Sequence, residues 1–281
     1  MNKAKSQIPN PKSQSSCRRS LGFGLWALGV GVLLSSCAPR LLRLPTDPGA
    51  PAPDFLQTYR AATAACSGVT TLTAELGLSG RAGGRGIRGR AIVGVERPAS
   101  LRLEGVAPFG PPAFILAARA GSGTLLLPRD ERVLRATPPQ DILGALTGIS
   151  LNPADLQAVL TGCLVSGGEP TAGRMHENGW LAVNLPGEAT LYLERRGTGW
   201  QPRAGRRPGW QIEYAPWQGD FPQNVRLRSV NPAVDVDLTA SVGQLETNVP
   251  IDPAAFSVDV PPDARPITLD ELREAGPLGG E

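Results

Sequence analysis

The chain has 281 residues, and its 34 glycines and 28 prolines against only 5% aromatic residues suit a turn-rich β fold with a modest aromatic core. The formal charge of +3 belongs to the N-terminus: residues 1–36 hold Lys3, Lys5, Lys12, Arg18 and Arg19 and no acid, so removing those five cations leaves −2. A chain that is basic only in its leader lacks the electrostatic footprint of a nucleic-acid binder, and no nucleic-acid partner is expected.

The leader reads as an export signal. Arg18 and Arg19 precede the apolar run 21–34, which is followed by Ser35, Ser36 and Cys37. Its 14 residues are too few to span a bilayer comfortably at about 1.5 Å per residue. Leu34-Ser35-Ser36-Cys37 resembles a bacterial lipobox, which implies a diacylglyceryl thioether on Cys37 and a mature chain starting there. Every cation beyond residue 36 is then an arginine. The later cysteines, Cys66 and Cys163, are expected to form a disulfide joining two helix ends, with a pair of free thiols as the alternative.

Residues 37–53 are proline-rich without apolar periodicity and read as a tether. Asp54 opens a helix to about Cys66, with Phe55, Tyr59 and Ala62 on one stripe. Period-two alternation follows. Leu72, Ala74, Leu76 and Leu78 share a face, as do Ile87, Ala91, Val93 and Val95, then Leu101 and Leu103, then Phe114 and Leu116. Residues 123–127 and 131–136 read as a hairpin, and all of these as half-buried antiparallel strands with one wet face.

The pattern breaks at Pro138. Ile142, Leu143, Leu146 and Ile149 recur at helical spacing, and Asn152-Pro153-Ala154-Asp155 starts another helix bearing Leu156, Val159 and Leu160. Two helices set midway in a run of strands are expected to cover one face or mouth of the sheet. Alternation resumes over 180–185, 189–195, 210–214, 225–228 and 234–238, with turns expected at 167–170 and 205–209. Ten to twelve strands in one strongly curved sheet fit this length. The tail from Pro250 reads as ending in a capped helix over 268–275, packed on the sheet or mobile.

Residues that would carry chemistry are sparse. The single histidine, His176, falls in a loop beside Glu177 and reads as a surface residue. Cys66 and Cys163 lack the CxxC spacing of zinc sites, so no metal or cofactor is expected. The glycine-rich stretch 81–86 lacks the Lys-Ser/Thr ending of a phosphate loop and reads as a hairpin turn. Asp235 and Asp237 read as solvated residues of one strand face. With no catalytic constellation, an enzyme is not expected. Trp180, Trp200, Trp210 and Trp217 read as core, or together as walls of a ligand cavity.

One stretch stands apart. Between two apolar strands lies Pro108-Phe109-Gly110-Pro111-Pro112, a rigid turn with a large apolar ring at its tip. Turn tips favour Gly, Asn, Asp and Ser, so Phe109 either folds back onto the core or stands out as a wedge toward a membrane or acyl chain.

In their order, the lipobox, the Pro108-Phe109-Gly110 turn, the segment from Leu146-Thr147-Gly148 through Leu160 and Gly162, and Trp210-Gln211-Ile212-Glu213-Tyr214 with Val225-Arg226-Leu227 resemble the LolA/LolB group of lipoprotein carriers. Within that group they are most similar to the LolB-like outer-membrane lipoproteins, which carry a Pro-Leu-Gly turn where this chain has phenylalanine. The Cys66–Cys163 pair and the tail depart from that pattern. The resemblance implies a mainly β fold with a few helices, a half-open antiparallel β-barrel over 54–249 followed by an extension over 250–281.

It further implies a protein anchored in the outer membrane and facing the periplasm. Its partners would be a LolA-like periplasmic carrier, the acyl chains of lipoproteins and the outer-membrane bilayer. Pro108, Phe109 and Gly110 would form the membrane-insertion loop. Leu101, Leu103, Phe114, Leu116, Leu146, Leu156, Leu160, Trp210 and Ile212 would line an acyl cavity. An envelope lipoprotein of the same fold with a filled interior is the other reading.

Overall fold

The computed structural model describes residues 42–231 and 234–275; Cys37 and the leader lie outside the described residues. The first half holds β1 (Ala50–Pro51), α1 (Phe55–Ser67), β2 (Thr71–Ala82), β3 (Arg85–Glu96), β4 (Ser100–Val106), β5 (Phe114–Arg119), β6 (Ser122–Leu127) and β7 (Arg132–Thr137). Two helices follow, α2 (Pro139–Thr147) and α3 (Pro153–Thr161), then β8 (Ala172–Met175), β9 (Leu181–Leu185), β10 (Ala189–Arg196), β11 (Gly199–Arg207) and β12 (Trp210–Tyr214). A small hairpin, β13 (Trp217–Gln218) and β14 (Phe221–Pro222), precedes β15 (Asn224–Ser229), β16 (Val236–Thr247), β17 (Arg265–Pro266) and α4 (Leu269–Ala275).

Fifteen strands form one sheet in the order β1-β8-β9-β10-β11-β12-β15-β16-β2-β3-β4-β5-β6-β7-β17. Pairing is antiparallel throughout except for β17 on β7. The long strands β16, β2 and β3 are the spine, with β2 paired to β3 along its whole length from Thr71 opposite Glu96 to Ala82 opposite Arg85. Because β1 and β17 end the order without meeting, the curved sheet stays open.

Period two then decides the burial. One face of every long strand is aliphatic and packs under the helices, which makes the concave side apolar. Its side chains fall into two clusters. One joins β2–β7 with Ile142, Leu143 and Leu146 of α2, Leu160 of α3 and Leu272 of α4. The other joins β9–β12, β15 and β16 with Val159 of α3 and the α1 stripe of Phe55, Tyr59 and Ala62. Leu78, Leu156 and Val242 touch both clusters and mark the seam between them.

The covering helices are well delimited. The Asn152 side chain accepts the Asp155 N–H at 2.8 Å and Pro153 opens α3, leaving few orphan donors. Gly148 and Gly162 end α2 and α3 in the left-handed conformation that glycine adopts without penalty. A disulfide between Cys66 and Cys163, with Cα atoms 5.7 Å apart, ties the end of α1 to the end of α3.

Several segments depart from the sequence reading. Residues 42–53, expected as a free tether, lie along the convex side of β8–β12. Leu42 and Leu44 pack against Trp180, Ala182, Tyr192 and Ala204, and β1 pairs with β8. Gly205, expected in a turn, is mid-strand in β11; Leu164 lies so close over it that a Cβ there would come within 2.3 Å of Cδ1. His176 is not a surface residue, since its side chain is only 8% exposed and its Nδ1 lies 3.1 Å from Asp47 Oδ2. Asp235 and Asp237 are not simply solvated, because Asp237 pairs with Arg226 at 2.7 Å and Asp235 with Arg81 at 3.5 Å.

The tail packs on the sheet. A 3-10 turn over Pro253–Phe256 buries Phe256 against β4 and β5, and the Arg102 guanidinium donates to the carbonyls of Ala255 and Ser257, each at 2.9 Å. Beyond it β17 joins the β7 edge, and Ile267 and Leu272 enter the first concave cluster. That covers an edge strand that would otherwise offer unpaired backbone groups. The helix α4 opens with a capping box, in which Thr268 Oγ1 accepts the Glu271 N–H while the Glu271 carboxylate accepts the Thr268 N–H at 2.7 Å.

Candidate functional site

The site begins at the turn between β4 and β5. The Ala113 N–H donates to the Gly105 carbonyl at 2.9 Å and closes the loop, and Gly110 takes a φ of +77°. Pro108, Pro111 and Pro112 fix φ on either side of the tip. From the neighbouring β6–β7 hairpin Arg129 donates through Nη2 to the Phe109 carbonyl at 2.8 Å, bracing the turn from outside. Phe109 does not fold back: it is 88% exposed, and Pro108 and Gly110 are exposed with it. Displaying a bare ring on a braced turn is unfavourable in water unless something apolar meets it.

The same end of the sheet carries other hairpin tips. The β2–β3 hairpin turns at Gly83-Gly84, and Gly83 N–H donates to the Asp235 carbonyl in the β15–β16 connection, where Val230 and Val234 are also exposed. The rim around Phe109 is therefore built from at least four loops of one end.

The nine residues expected to line an acyl cavity all lie on the concave side, divided between the two clusters. Leu101, Leu103, Phe114, Leu116, Leu146 and Leu160 belong to the first. Ile212 is buried in the second with Trp210 half-buried against it, and Leu156 sits on the seam touching both. All of them but Trp210 and Leu156 are buried within these clusters. Gly105 shows how close that packing is, because a Cβ there would fall 2.5 Å from the Phe114 ring.

Two aromatic residues on this side, read from the sequence as core or as cavity walls, carry a polar group that the sequence reading did not weigh. The Tyr214 hydroxyl and the Trp217 indole N–H are buried without a hydrogen-bond partner among the described residues, their rings 6.3 Å apart edge to face. Burial drives the Tyr214 phenol far above its ordinary range, so it stays neutral and able to donate. No sequence signal distinguished these two from ordinary aromatic core. The tryptophans do not line a common cavity, since Trp180 faces the convex side with Tyr192 while Trp210 and Trp217 face the concave one. Trp200 lies under the Arg195 guanidinium at 4.9 Å.

The convex side has grooves along its centre. One of about 490 Å³ is lined by Gly77, Ser79, Arg88, Arg90, Pro108 and Ser241 among others, and so reaches the wedge turn. A second of about 490 Å³ follows Thr73, Glu75, Ile92 and Leu245. Among the described residues no three His, Cys, Asp or Glu side chains gather as a metal site, and no helix is long and apolar enough to cross a membrane.

No family model matches the chain, and no curated protein sequence matches it. Solved structures do. A LolA superfamily protein from Nitrosomonas europaea superposes with a TM-score of 0.48 at 8% identity, covering 74% of this chain and 98% of its own. A DUF1329 family protein from Desulfovibrio piger gives 0.48 at 12% identity over 72% of this chain and 96% of its own. Both scores lie below 0.5, and the fold described above stands on this chain's own register and topology.

Proposed function

We propose that this protein is a lipid-anchored envelope protein, held by Cys37 at the outer membrane and facing the periplasm. In this reading it takes the acyl chains of lipoproteins from a LolA-like periplasmic carrier and inserts them into the bilayer. The observation that carries the reading is Phe109, an exposed apolar ring on a turn stiffened by three prolines and braced by Arg129. Such a wedge fits the headgroup–acyl boundary, where an apolar side chain is stabilised rather than penalised.

The chemistry demanded is partition, not bond-making. At roughly 0.8 kcal/mol per CH₂, a chain of about fifteen carbons exposed to water costs on the order of 12 kcal/mol. An aliphatic interior can replace that water, and no nucleotide or catalytic group is needed for a transfer between apolar environments. Because the side chains of the concave side are packed together, an acyl chain would enter by parting the seam at Leu78, Leu156 and Val242, which pack against both clusters. The release problem is then eased, since closure of the seam expels the chain.

The packed interior favours a second reading, a structural envelope lipoprotein that uses the wedge for attachment alone. Native mass spectrometry separates the two. The mature chain carrying Cys37→Ala is incubated with a diacylated lipopeptide and sprayed from non-denaturing solution. A carrier retains one lipopeptide per chain, and a Leu156→Trp variant that plugs the seam loses it. Absence of any retained lipid under conditions where an authentic LolA-type carrier holds it leaves the structural reading.

A further inference from the structure

Beside the wedge lies a strip of arginines that the carrier reading does not use. Between residues 77 and 95 the chain has Arg81, Arg85, Arg88 and Arg90 and no acid, in a mature chain whose overall formal charge is negative. Period two places Arg88 and Arg90 on the convex face, opposite Ser79 and Gly77 of β2. Both are exposed, and neither has an ion-pair partner among the described residues.

Arg85, at the hairpin tip, is exposed and, among the described residues, donates to the Ala275 carbonyl at 3.2 Å, whereas Arg81 is engaged by Asp235. Among the described residues of this rim, Asp130, Glu131 and Asp235 sit on the two flanking loops, and Glu274 stands beside Ala275 at the end of α4, none of them on this hairpin. The floor between the arginines is made of small residues, Gly77, Ser79 and Ser241, so the groove of about 490 Å³ is open there and ends at Pro108, next to Phe109.

We propose, resting on the membrane-facing reading of Phe109, that this groove receives the phosphates of anionic lipid headgroups and sets the angle at which the rim meets the bilayer. Guanidinium forks match phosphate oxygens two at a time, and the Ser79 hydroxyl adds a donor on the floor, whereas Ser241 donates to Asn224 Oδ1 at 2.7 Å. The neighbouring wedge selects a lipid surface over a soluble anion, because one docking pose puts Phe109 among acyl chains and Arg88 and Arg90 at headgroup level. Cations near an anionic leaflet each add about a five-fold gain in partition, and the gain falls with salt. A locally cationic strip on a negative protein also orients the molecule before contact.

The test is co-sedimentation of the mature Cys37→Ala chain with vesicles of pure phosphatidylcholine and of phosphatidylcholine with one-third phosphatidylglycerol. The unsubstituted surface is expected to bind the anionic vesicles roughly 100-fold better, with that increment lost at about 0.5 M salt. Arg85→Gln, Arg88→Gln and Arg90→Gln combined should erase the increment and leave binding to neutral vesicles unchanged. Phe109→Glu should weaken binding to both compositions. If the triple variant keeps the anionic increment, the headgroup groove is wrong while the wedge survives. If Phe109→Glu binds both vesicles like its parent, the membrane-facing reading itself fails. Unaltered circular dichroism and melting in all variants keep either result from being a folding effect.

Discussion

The two flanks of the convex face and its centre are treated differently by the chain. Over β8–β12 the segment 42–51 is laid down and fastened: Leu42 accepts from Gln211 and donates to Glu213, and Arg174 donates to the Pro48 carbonyl. Over β4 and β5 the tail does the same with Phe256 and the Arg102 clamp. Between them β16, β2 and β3 carry Gly77, Ser79, Ser241, Arg88, Arg90 and an Ile92 that is 46% exposed. Among the described residues, the segments 42–51 and 253–257 cover the flanks and leave these residues of the centre uncovered. The difference teaches that the bare band is bounded on each side by a fastened segment, and it runs straight into the wedge turn.

The largest effect expected from breaking this comparison is at Phe256. Removing its ring should leave the β4–β5 flank uncovered and lower stability by about 3 kcal/mol, the usual loss for a buried phenylalanine. Phe256→Ala is measured by urea unfolding, and a shift in midpoint equivalent to less than about 1 kcal/mol would show that the tail lies on the sheet without holding it.

A smaller effect is expected on the other flank, and it is pH-dependent. Burial alone would push the Asp47 carboxyl up, but the Glu177 N–H and His176 hydrogen-bond to it and together hold it below the ordinary carboxylate range. A depressed carboxylate contributes stability that is fully present above its unfolded value of about 3.9 and is lost as pH falls through the lower folded value. Amide exchange in residues 42–51 should therefore be slow at neutral pH and accelerate only below about pH 4, and Asp47→Asn should make it fast at both. Exchange that is already fast at pH 7 in the unsubstituted chain would mean that the apolar contacts of Leu42 and Leu44 do not seat the segment.

How much of this was legible follows from which signals are periodic. The spine strands, α1, α2 and α3 were readable because burial on one face repeats every two or 3.6 residues, and Asn152-Pro153 announces a helix start outright. The segment at 42–53 was not, because two leucines and a carboxylate that bind by position leave no period to find. Gly205 misled because glycine marks both turns and places where another side chain lies on the backbone, and only the fold puts Leu164 there. His176 misled for the same reason, its partner Asp47 lying 129 residues away.

The site was legible in part: the odd residue at the turn tip pointed to the rim. The nine leucine-rich positions were correctly apolar, yet periodicity says which face is apolar and nothing about whether neighbouring side chains fill it. The arginine strip was visible as a run of letters and acquired meaning only when β2 and β3 were seen to place two of its members in a groove ending at Pro108.

The smallest effects on stability are expected from the bare centre, and they give the sharpest version of the comparison. Ile92 and Phe109 are both exposed apolar residues of the β2–β5 region, so Ile92→Ser and Phe109→Ser should each change unfolding free energy by no more than about 0.5 kcal/mol. Their positions differ. Ile92 pairs with Glu104, two residues farther from the rim than the Arg90–Val106 pair, whereas Phe109 lies beyond the end of β4. If the molecule meets the bilayer end-on, Phe109→Ser reduces vesicle binding and Ile92→Ser does not. Equal losses in both would mean that the whole convex band lies flat on the membrane. The groove would then be a bed for headgroups along its length, and the wedge only its upper margin.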